Sequence, residues 1–430
     1  MTTAPPDLRR RAGDTGTAPD FGRRQVHAVA ACYFVASFAA LGLPPFLTEI
    51  LPELGDRTAR WAGLLYVVPT VFGALGAPLW GRLADRFGRK RLLLRAQLGL
   101  AVSFLLAGWA DSVATFTAAL VLQGILGGTF SASNGYLAAA LDGPGLSKAL
   151  TLMQGSARAA LVLAPIVVGS LSPWLSPHRQ YALLALLPLS AALMLSMLPE
   201  PRRPAAQQPG ATQAVTQTAP HADTHTAAQA GCPAVPADGP RTPLRMLYAY
   251  EFAFVFSTVI SFPYLISLIE DRIPETSPAV SGVLFALPHV CYLVSAMAMH
   301  AVFHRRPRAG IALGFGLVAL GLAGHGVADS LAAFAAVRLL LGAGLTLGLV
   351  GLSVLAADCA KGRSPGGMFG SLEFVSKGGA VAAGVAAALG NSWFGPTAPV
   401  LTGTAVALVT VLAATLPALV RRSPRTRWSR

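Results

Sequence analysis

Charged side chains are scarce in this sequence of 430 residues. Only 12% of the residues are charged, whereas 53% are hydrophobic. Because an ordinary soluble domain carries roughly a quarter of its residues as charged side chains, the composition excludes that class. The net charge is +14, but the basic residues are scattered among short segments between apolar runs. This scatter argues against a nucleic-acid-binding domain.

Cysteines and catalytic motifs are equally scarce. The four cysteines have no CxxC spacing, so neither a disulfide framework nor a metal site is indicated. The sequence contains no HExxH, no GxSxG and no P-loop, and its run GAGLTLGLVG lacks dinucleotide-binding spacing. We therefore predict no enzyme activity, no metal and no cofactor. A channel or a receptor remains an alternative that a measurement of substrate flux would separate from a transporter.

Apolar runs long enough to span a bilayer recur along the whole chain. Such runs must form helices, because lipid cannot satisfy exposed backbone groups. The pattern predicts an all-α membrane protein with twelve transmembrane helices in two pseudo-symmetric six-helix bundles. The predicted spans are 25–49, 61–80, 96–112, 114–140, 149–171, 181–199, 246–269, 279–302, 311–328, 331–356, 367–390 and 398–420.

The same pattern divides the chain into five segments. A Pro-, Ala-, Gln- and Thr-rich stretch without apolar periodicity predicts a flexible linker between the bundles. Most Lys and Arg residues fall on one side of the predicted spans, so the positive-inside rule places both termini in the cytoplasm of a bacterial cell. The predicted segments are a cytoplasmic tail 1–24, a bundle 25–199, a linker 200–245, a bundle 246–420 and a tail 421–430.

The two halves also match locally. Aligned without gaps, the fifth and eleventh predicted helices place Gln154 on Glu373 and Arg158 on Lys377. A duplicated six-plus-six chain predicts a substrate site near the bilayer midplane, between the halves.

The stretch GRLADRFGRK at 81–90 resembles the signature between helices 2 and 3 of the major facilitator superfamily. The resemblance implies two bundles that rock about a central cavity. It also implies a gate in which Asp85 lies at the N-terminus of helix 11 and Arg89 ties Asp85 to Asp142. Gly88 is expected to permit a tight turn with positive φ. The predicted gating residues are Gly81, Asp85, Arg86, Gly88, Arg89, Lys90 and Asp142.

Two further patterns of that family are altered. The helix 5 motif of its antiporters is represented by Ala160, Ala164, Pro165 and Gly169, which favours export and predicts close helix packing at a kink. In helix 4, Leu120 stands where the family has an arginine. Proton coupling through that arginine is therefore in doubt.

Charged residues inside the spans are the candidate cavity residues, because each is costly in the membrane and tends to face a cavity or a partner. Cations there suit a substrate that bears carboxylates. Glu373 precedes Lys377 by four residues, so an ion pair within the helix is an alternative role for this pair. We expect Glu251 or Glu373 to carry the proton if protons are the coupling ion. The candidates are Gln154, Arg158, Glu251, Arg338, Glu373 and Lys377.

The predicted function is alternating-access export across the cytoplasmic membrane by a monomer. The run ACYFVASFAALGLPP in helix 1 loosely resembles exporters of siderophores within the drug:proton antiporter-like branch of the family. Together with the cationic cavity, it favours an anionic hydroxycarboxylate or hydroxamate siderophore as the substrate. The alternative is a proton-coupled multidrug or metabolite efflux pump.

Overall fold

A computed structural model describes residues 22–141, 143–198, 244–360 and 365–422. The described residues form helices and connecting turns, without a strand. The all-α prediction is therefore confirmed. The boundaries of the tails and of the linker fall in or beside segments outside these ranges, so the five-segment division stays a prediction.

The described residues of the first half form nine α-helices. One of them, α5, starts after a capping box in which Ser112 and Thr115 exchange hydrogen bonds. The helices are α1 (Arg23–Gly42), α2 (Leu47–Glu53), α3 (Ala62–Phe87), α4 (Arg89–Gly108), α5 (Val113–Leu126), α6 (Thr129–Ala140), α7 (Gly143–Leu171), α8 (Pro177–Leu184) and α9 (Leu186–Ser196).

The second half contains seven α-helices in the described residues. They are α10 (Leu244–Val259), α11 (Leu265–Arg272), α12 (Pro278–Phe303), α13 (Pro307–His325), α14 (Leu331–Ala360), α15 (Pro365–Phe394) and α16 (Ala398–Arg422). Among the described residues of the whole chain, ten helical stretches are long and apolar enough to cross a membrane. Two shorter apolar helices, Ala62–Gly76 and Val113–Leu126, occupy the places of two further predicted spans.

Three spans that were predicted as continuous helices are interrupted. Paired prolines divide α1 from α2, and Pro263 lies in the 3-10 turn between α10 and α11. The span 114–140 breaks into α5 and α6 at Gly127 and Gly128. In contrast, α8 continues into α9 through Ala185, which has a helical backbone and donates its N–H to the carbonyl oxygen of Tyr181. Gly128 has φ of 87°, a left-handed conformation that continues no α-helix. Hydropathy alone detects none of these breaks.

The two halves approach each other closely at one end of the helices, which we call the closed end and define by the loops 54–61 and 273–277. At this end Gly63 of α3 lies so near α15 that an added Cβ would be 2.6 Å from the carbonyl oxygen of Gly384. In the same way, Gly169 of α7 leaves no space for a Cβ beside Pro278 of α12, and Gly282 leaves none beside Pro165. Glycine is therefore required for this backbone contact.

One tyrosine joins the halves at the closed end. The hydroxyl group of Tyr264 accepts a hydrogen bond of 3.1 Å from the backbone N–H of Gly63 and donates one of 3.1 Å to the carbonyl oxygen of Arg60. Tyr264 is only 2% exposed, so water does not compete for these bonds. We refer to this pair of bonds as the Tyr264 bridge.

A cavity of about 570 Å³ extends from the closed end toward the other end of the helices. Its wall runs from Pro44 and Tyr66 near the closed end to Trp80 and Arg89, beside the turn that joins α3 to α4. We call this second end the open end. Most of the lining belongs to the first half, and Val259, Lys377 and Ala380 of the second half complete it.

Candidate functional site

The turn between α3 and α4 adopts the predicted glycine conformation. Gly88 precedes α4 with φ of 98° and ψ of 145°, which residues with a side chain rarely adopt. The positive-φ prediction is confirmed. Arg86, one of the predicted gating residues, is exposed and lies with its guanidinium 5.3 Å from the ring centroid of Phe87.

Two other cations of this motif hold backbone groups of neighbouring helices. Arg89 donates from Nη1 to the carbonyl oxygen of Gly135 in α6, at 2.7 Å. Lys90 donates from Nζ to the carbonyl oxygens of Ser196, at 2.8 Å, and Leu198. Because those carbonyls end α9, the Lys90 charge also compensates the negative end of that helix. The motif thus fastens α4 to α6 and α9.

The structure does not describe the side chains of the two acidic residues in the predicted gate, Asp85 and Asp142. Gly81 and Asp85 lie in the last turns of α3, where the surroundings of Asp85 are not described, and Asp142 lies outside the described residues. The Asp85–Arg89–Asp142 arrangement therefore stays a prediction.

The wall of the cavity is mainly apolar and carries cations. Arg89, Arg95 and Lys377 line it, together with the uncharged Gln123 and Trp80. None of the described lining residues is acidic. The wall can therefore receive a molecule with an apolar body, and its charge complements an anion better than a cation.

Arg158 lies between α7 and α12, beside this cavity and outside its described lining. Its guanidinium carbon is 5.3 Å from the ring centroid of Tyr292. The carboxyl group of Glu251 is close enough for its charge to act on Arg158. Glu251 of α10 is thus the acidic residue near Arg158, and the role of Arg158 in the cavity stays a prediction.

Glu251 of α10 and Glu373 and Lys377 of α15 form a group of charged residues, which we call the α10–α15 cluster. Glu251 makes a side-chain hydrogen bond with Ser376, and the charge of Glu373 also acts on it. Within α15, Lys377 Nζ lies 3.3 Å from Glu373 Oε1. The predicted ion pair between residues four apart is therefore confirmed. Gln154, aligned with Glu373 in the repeat, is exposed one turn before Arg158.

Arg338 does not belong to the cavity. It is fully buried, and it donates from Nε to the carbonyl oxygen of Leu284, at 2.8 Å, and from Nη2 to that of Phe285, at 2.7 Å. Pro288 lacks the N–H that would bond to the Leu284 carbonyl four residues earlier in α12. Arg338 therefore satisfies a carbonyl that the proline leaves free, and its prediction as a cavity cation is wrong.

The helix 5 motif forms part of the contact between the halves. Ala160 and Ala164 are fully buried, and Ala164 lies against Gly42 of α1. Pro165 and Gly169 face α12 at the closed end. The predicted close packing is confirmed, although its preference for export stays a prediction.

Sequence reasoning missed the role of Arg95, because this residue immediately precedes the predicted span 96–112. Its guanidinium carbon lies 3.5 Å from the ring centroid of Trp80, and Nη2 donates to the carbonyl oxygen of Gly127 at 3.2 Å. Trp80 Nε1 in turn donates to the carbonyl oxygen of Ile125 at 2.7 Å. Arg95 follows Arg89 by six residues, which places it about 9 Å into the helix. This depth inside α4 was the feature of the sequence that could have identified Arg95 as a candidate cavity residue.

Comparisons with known proteins agree with this architecture. Multidrug resistance protein MdtG of Serratia proteamaculans is 32% identical over 169 residues, or 38% of this chain and 39% of that protein. MdtG of Yersinia enterocolitica is 35% identical over 146 residues, or 33% of this chain and 35% of that protein. The matches thus span less than half of the length of these curated relatives.

Solved structures resemble the whole fold. The human organic anion transporter MFSD10 (TETRAN) has a TM-score of 0.61 at 22% identity, covering 92% of this chain and all of that one. A POT family transporter in complex with 5-aminolevulinic acid has a TM-score of 0.69 at 11% identity, covering 93% of this chain and 97% of that one. These likenesses show a shared fold. The family model of the Major Facilitator Superfamily matches residues 29–270, more than half of the chain, and the chain belongs to that superfamily of membrane transporters.

Proposed function

We propose that the protein is an efflux pump of the bacterial cytoplasmic membrane that exports amphipathic small molecules, with anionic ones preferred. The observation that carries the proposal is the similarity to multidrug resistance proteins, combined with a largely apolar cavity that reaches the open end. The multidrug alternative is thus favoured over the siderophore exporter, which gains no support from these relatives.

The proposed orientation in the membrane rests on the charges at the open end. Arg86, Arg89, Lys90 and Arg91 lie at the turn between α3 and α4, which belongs to this end. By the positive-inside rule this end faces the cytoplasm. The described conformation then receives its substrate from the cytoplasm, as the first step of export requires.

Coupling to protons is proposed to involve the acidic residues of the α10–α15 cluster. Glu251 and Glu373 lie close enough for their charges to interact, and Arg158 lies near Glu251. A proton on one carboxyl group would change the charge that holds α7, α10 and α15 together. If Glu251→Gln and Glu373→Gln both export as the parent does, and still lose export when the pH gradient collapses, neither residue is the coupling site.

The proposal is tested by drug resistance in a bacterium that lacks its own efflux pumps. Cells that produce the protein are expected to tolerate higher concentrations of amphipathic drugs than cells with an empty vector, and a protonophore should abolish the accumulation difference. Gly88→Val, which blocks the turn between α3 and α4, is the control at equal membrane expression. Equal sensitivity of parent, control and empty-vector cells across anionic, neutral and cationic drugs would contradict the proposal.

A further inference from the structure

We propose that Arg95, held between Trp80 and the break that separates α5 from α6, forms an anion subsite in the wall of the cavity. Its ligand would be the carboxylate group of an amphipathic organic anion. This inference rests on the proposed efflux function, because it assigns a substrate class and a recognition residue to the same cavity.

The position of Arg95 is fixed by two contacts. Its guanidinium group stacks on Trp80, and Nη2 donates to the carbonyl oxygen of Gly127. Trp80 is itself fixed through its hydrogen bond to Ile125. The side chain therefore does not extend toward the open end, as a lysine or arginine that merely reaches for water would do.

The charge of Arg95 is incompletely compensated by the described part of the chain. Its Nε and Nη1 atoms are buried and have no hydrogen-bond acceptor there. No described residue in the cavity wall is acidic, and the one acceptor found, the Gly127 carbonyl, is neutral. A partly buried cation whose donors lack an anion is costly in the membrane, so an anion in the cavity would be stabilised beside it.

The break between α5 and α6 adds a second positive feature at the same place. Gly128 precedes α6 and provides no side-chain acceptor for its first N–H groups. Gly127, Gly128 and Thr129 line the cavity, next to Arg95. In interrupted transmembrane helices, the N-terminus of the second half-helix is the end that favours anionic substrate groups. Arg95 and α6 would therefore act on the same carboxylate.

The rest of the wall suits an apolar body attached to that carboxylate. Leu65, Tyr66 and Pro69 line the cavity nearer the closed end, and Leu92 and Leu100 line it on α4. An aromatic acid can place its ring along these residues while its carboxylate stays at Arg95. The subsite thus recognises a charged end and leaves the apolar end loosely specified.

The test compares three probes that share one ring system: 1-naphthylacetate, the neutral 1-naphthylacetamide and the cationic 1-naphthylmethylamine. Binding is measured by calorimetry on the full-length protein in phosphatidylcholine nanodiscs, with empty nanodiscs as the blank. Arg95→Gln is expected to bind naphthylacetate about tenfold or more weakly while binding naphthylacetamide within about twofold of the parent. Arg95→Lys should recover part of the loss.

The matched control is Arg91→Gln, which removes the same charge from an exposed position one turn earlier in α4. It should leave the binding of all three probes unchanged. If the Arg95→Gln variant loses affinity for naphthylacetate and naphthylacetamide equally, Arg95 has a merely structural role and the subsite is overturned. Arg95→Gln that keeps the parent's preference for the acid would also overturn it, while drug efflux in cells would stand.

Two further results would overturn the assignment of a substrate carboxylate to this subsite. If the parent binds all three probes equally, the preference for anions falls together with the subsite. If naphthylacetate is displaced when phosphatidylglycerol replaces part of the phosphatidylcholine, the site belongs to a lipid headgroup and the assignment to a substrate is overturned. Binding that is indifferent to this lipid supports the assignment.

Discussion

Arg338 shows at the residue scale how an arginine inside a membrane protein can be structural. It lies in α14, and its position inside a predicted span made it a candidate cavity residue. Its donors instead satisfy the carbonyl oxygens of Leu284 and Phe285 beside the kink at Pro288. The residue therefore fastens α14 to α12.

Arg338→Leu is expected to lower the free energy of unfolding by about 1–3 kcal/mol, because the Leu284 carbonyl then stays buried without a donor. Restoring the N–H with Pro288→Ala should reduce that cost in the double variant. Thermal unfolding in detergent measures both, with the exposed Arg305→Leu as the control. If Arg338→Leu keeps full stability and loses only transport, the residue has a transport role instead.

Some of these residue roles could be predicted from the sequence, and others could not. The positive φ of Gly88 and the Glu373–Lys377 pair depend on local chain geometry, so a motif and a spacing are sufficient to find them. The carbonyl oxygens that accept hydrogen bonds from Arg95 and Arg338 lie more than thirty residues away along the chain. Only the packing of the helices reveals which carbonyls those arginines contact.

At the scale of elements, the helix interruptions matter more than the helix count. Long apolar runs predicted the spans well, because burial in lipid forces helices. The breaks at Pro44, Gly128 and Pro263 leave the hydropathy unchanged, so the hydropathy pattern does not predict them. Glycine and proline nevertheless mark each of these positions in the sequence. Two of these breaks, at Pro44 and Gly128, line the cavity, and they therefore belong to the candidate site.

The turn at Gly88 provides the test at this scale. Gly88→Ala must place a side chain at φ of 98°, which costs about 1–3 kcal/mol. We expect weaker ordering of α4 against α6 and reduced drug resistance at equal membrane expression. Gly155→Ala is the matched control, since an added Cβ meets no atom within 4 Å there. Equal loss of resistance in both variants would contradict a special role for the Gly88 turn.

At the scale of the whole molecule, the closed end determines which side of the membrane the cavity faces. Glycine-mediated backbone contacts and the Tyr264 bridge hold the two halves together there. The cavity and its cations reach the opposite end. Export requires the closed end to open while the open end closes. The contacts of the closed end must therefore break once in each cycle.

Tyr264→Phe removes both bonds of the Tyr264 bridge without changing the shape of the side chain. The loss of about 1 kcal/mol for each bond should raise the population that is open at this end by roughly tenfold or more. A cysteine at Leu65, which lines the cavity and is 5% exposed, should then react faster with an impermeant thiol reagent added from outside. Tyr248→Phe serves as control. Unchanged reactivity would show that the bridge does not hold this end closed.

The central claim, export by alternating access, is tested most directly by distances measured between spin labels at both ends in one protein preparation. One cysteine pair replaces Trp174 and Phe394 at the closed end, and another replaces Phe87 and Val302 at the open end; all four positions are exposed. The native cysteines are replaced first. On addition of an exported drug and a change of pH, the first distance should lengthen while the second shortens. Distances that stay fixed at both ends while the drug still crosses the membrane would contradict alternating access.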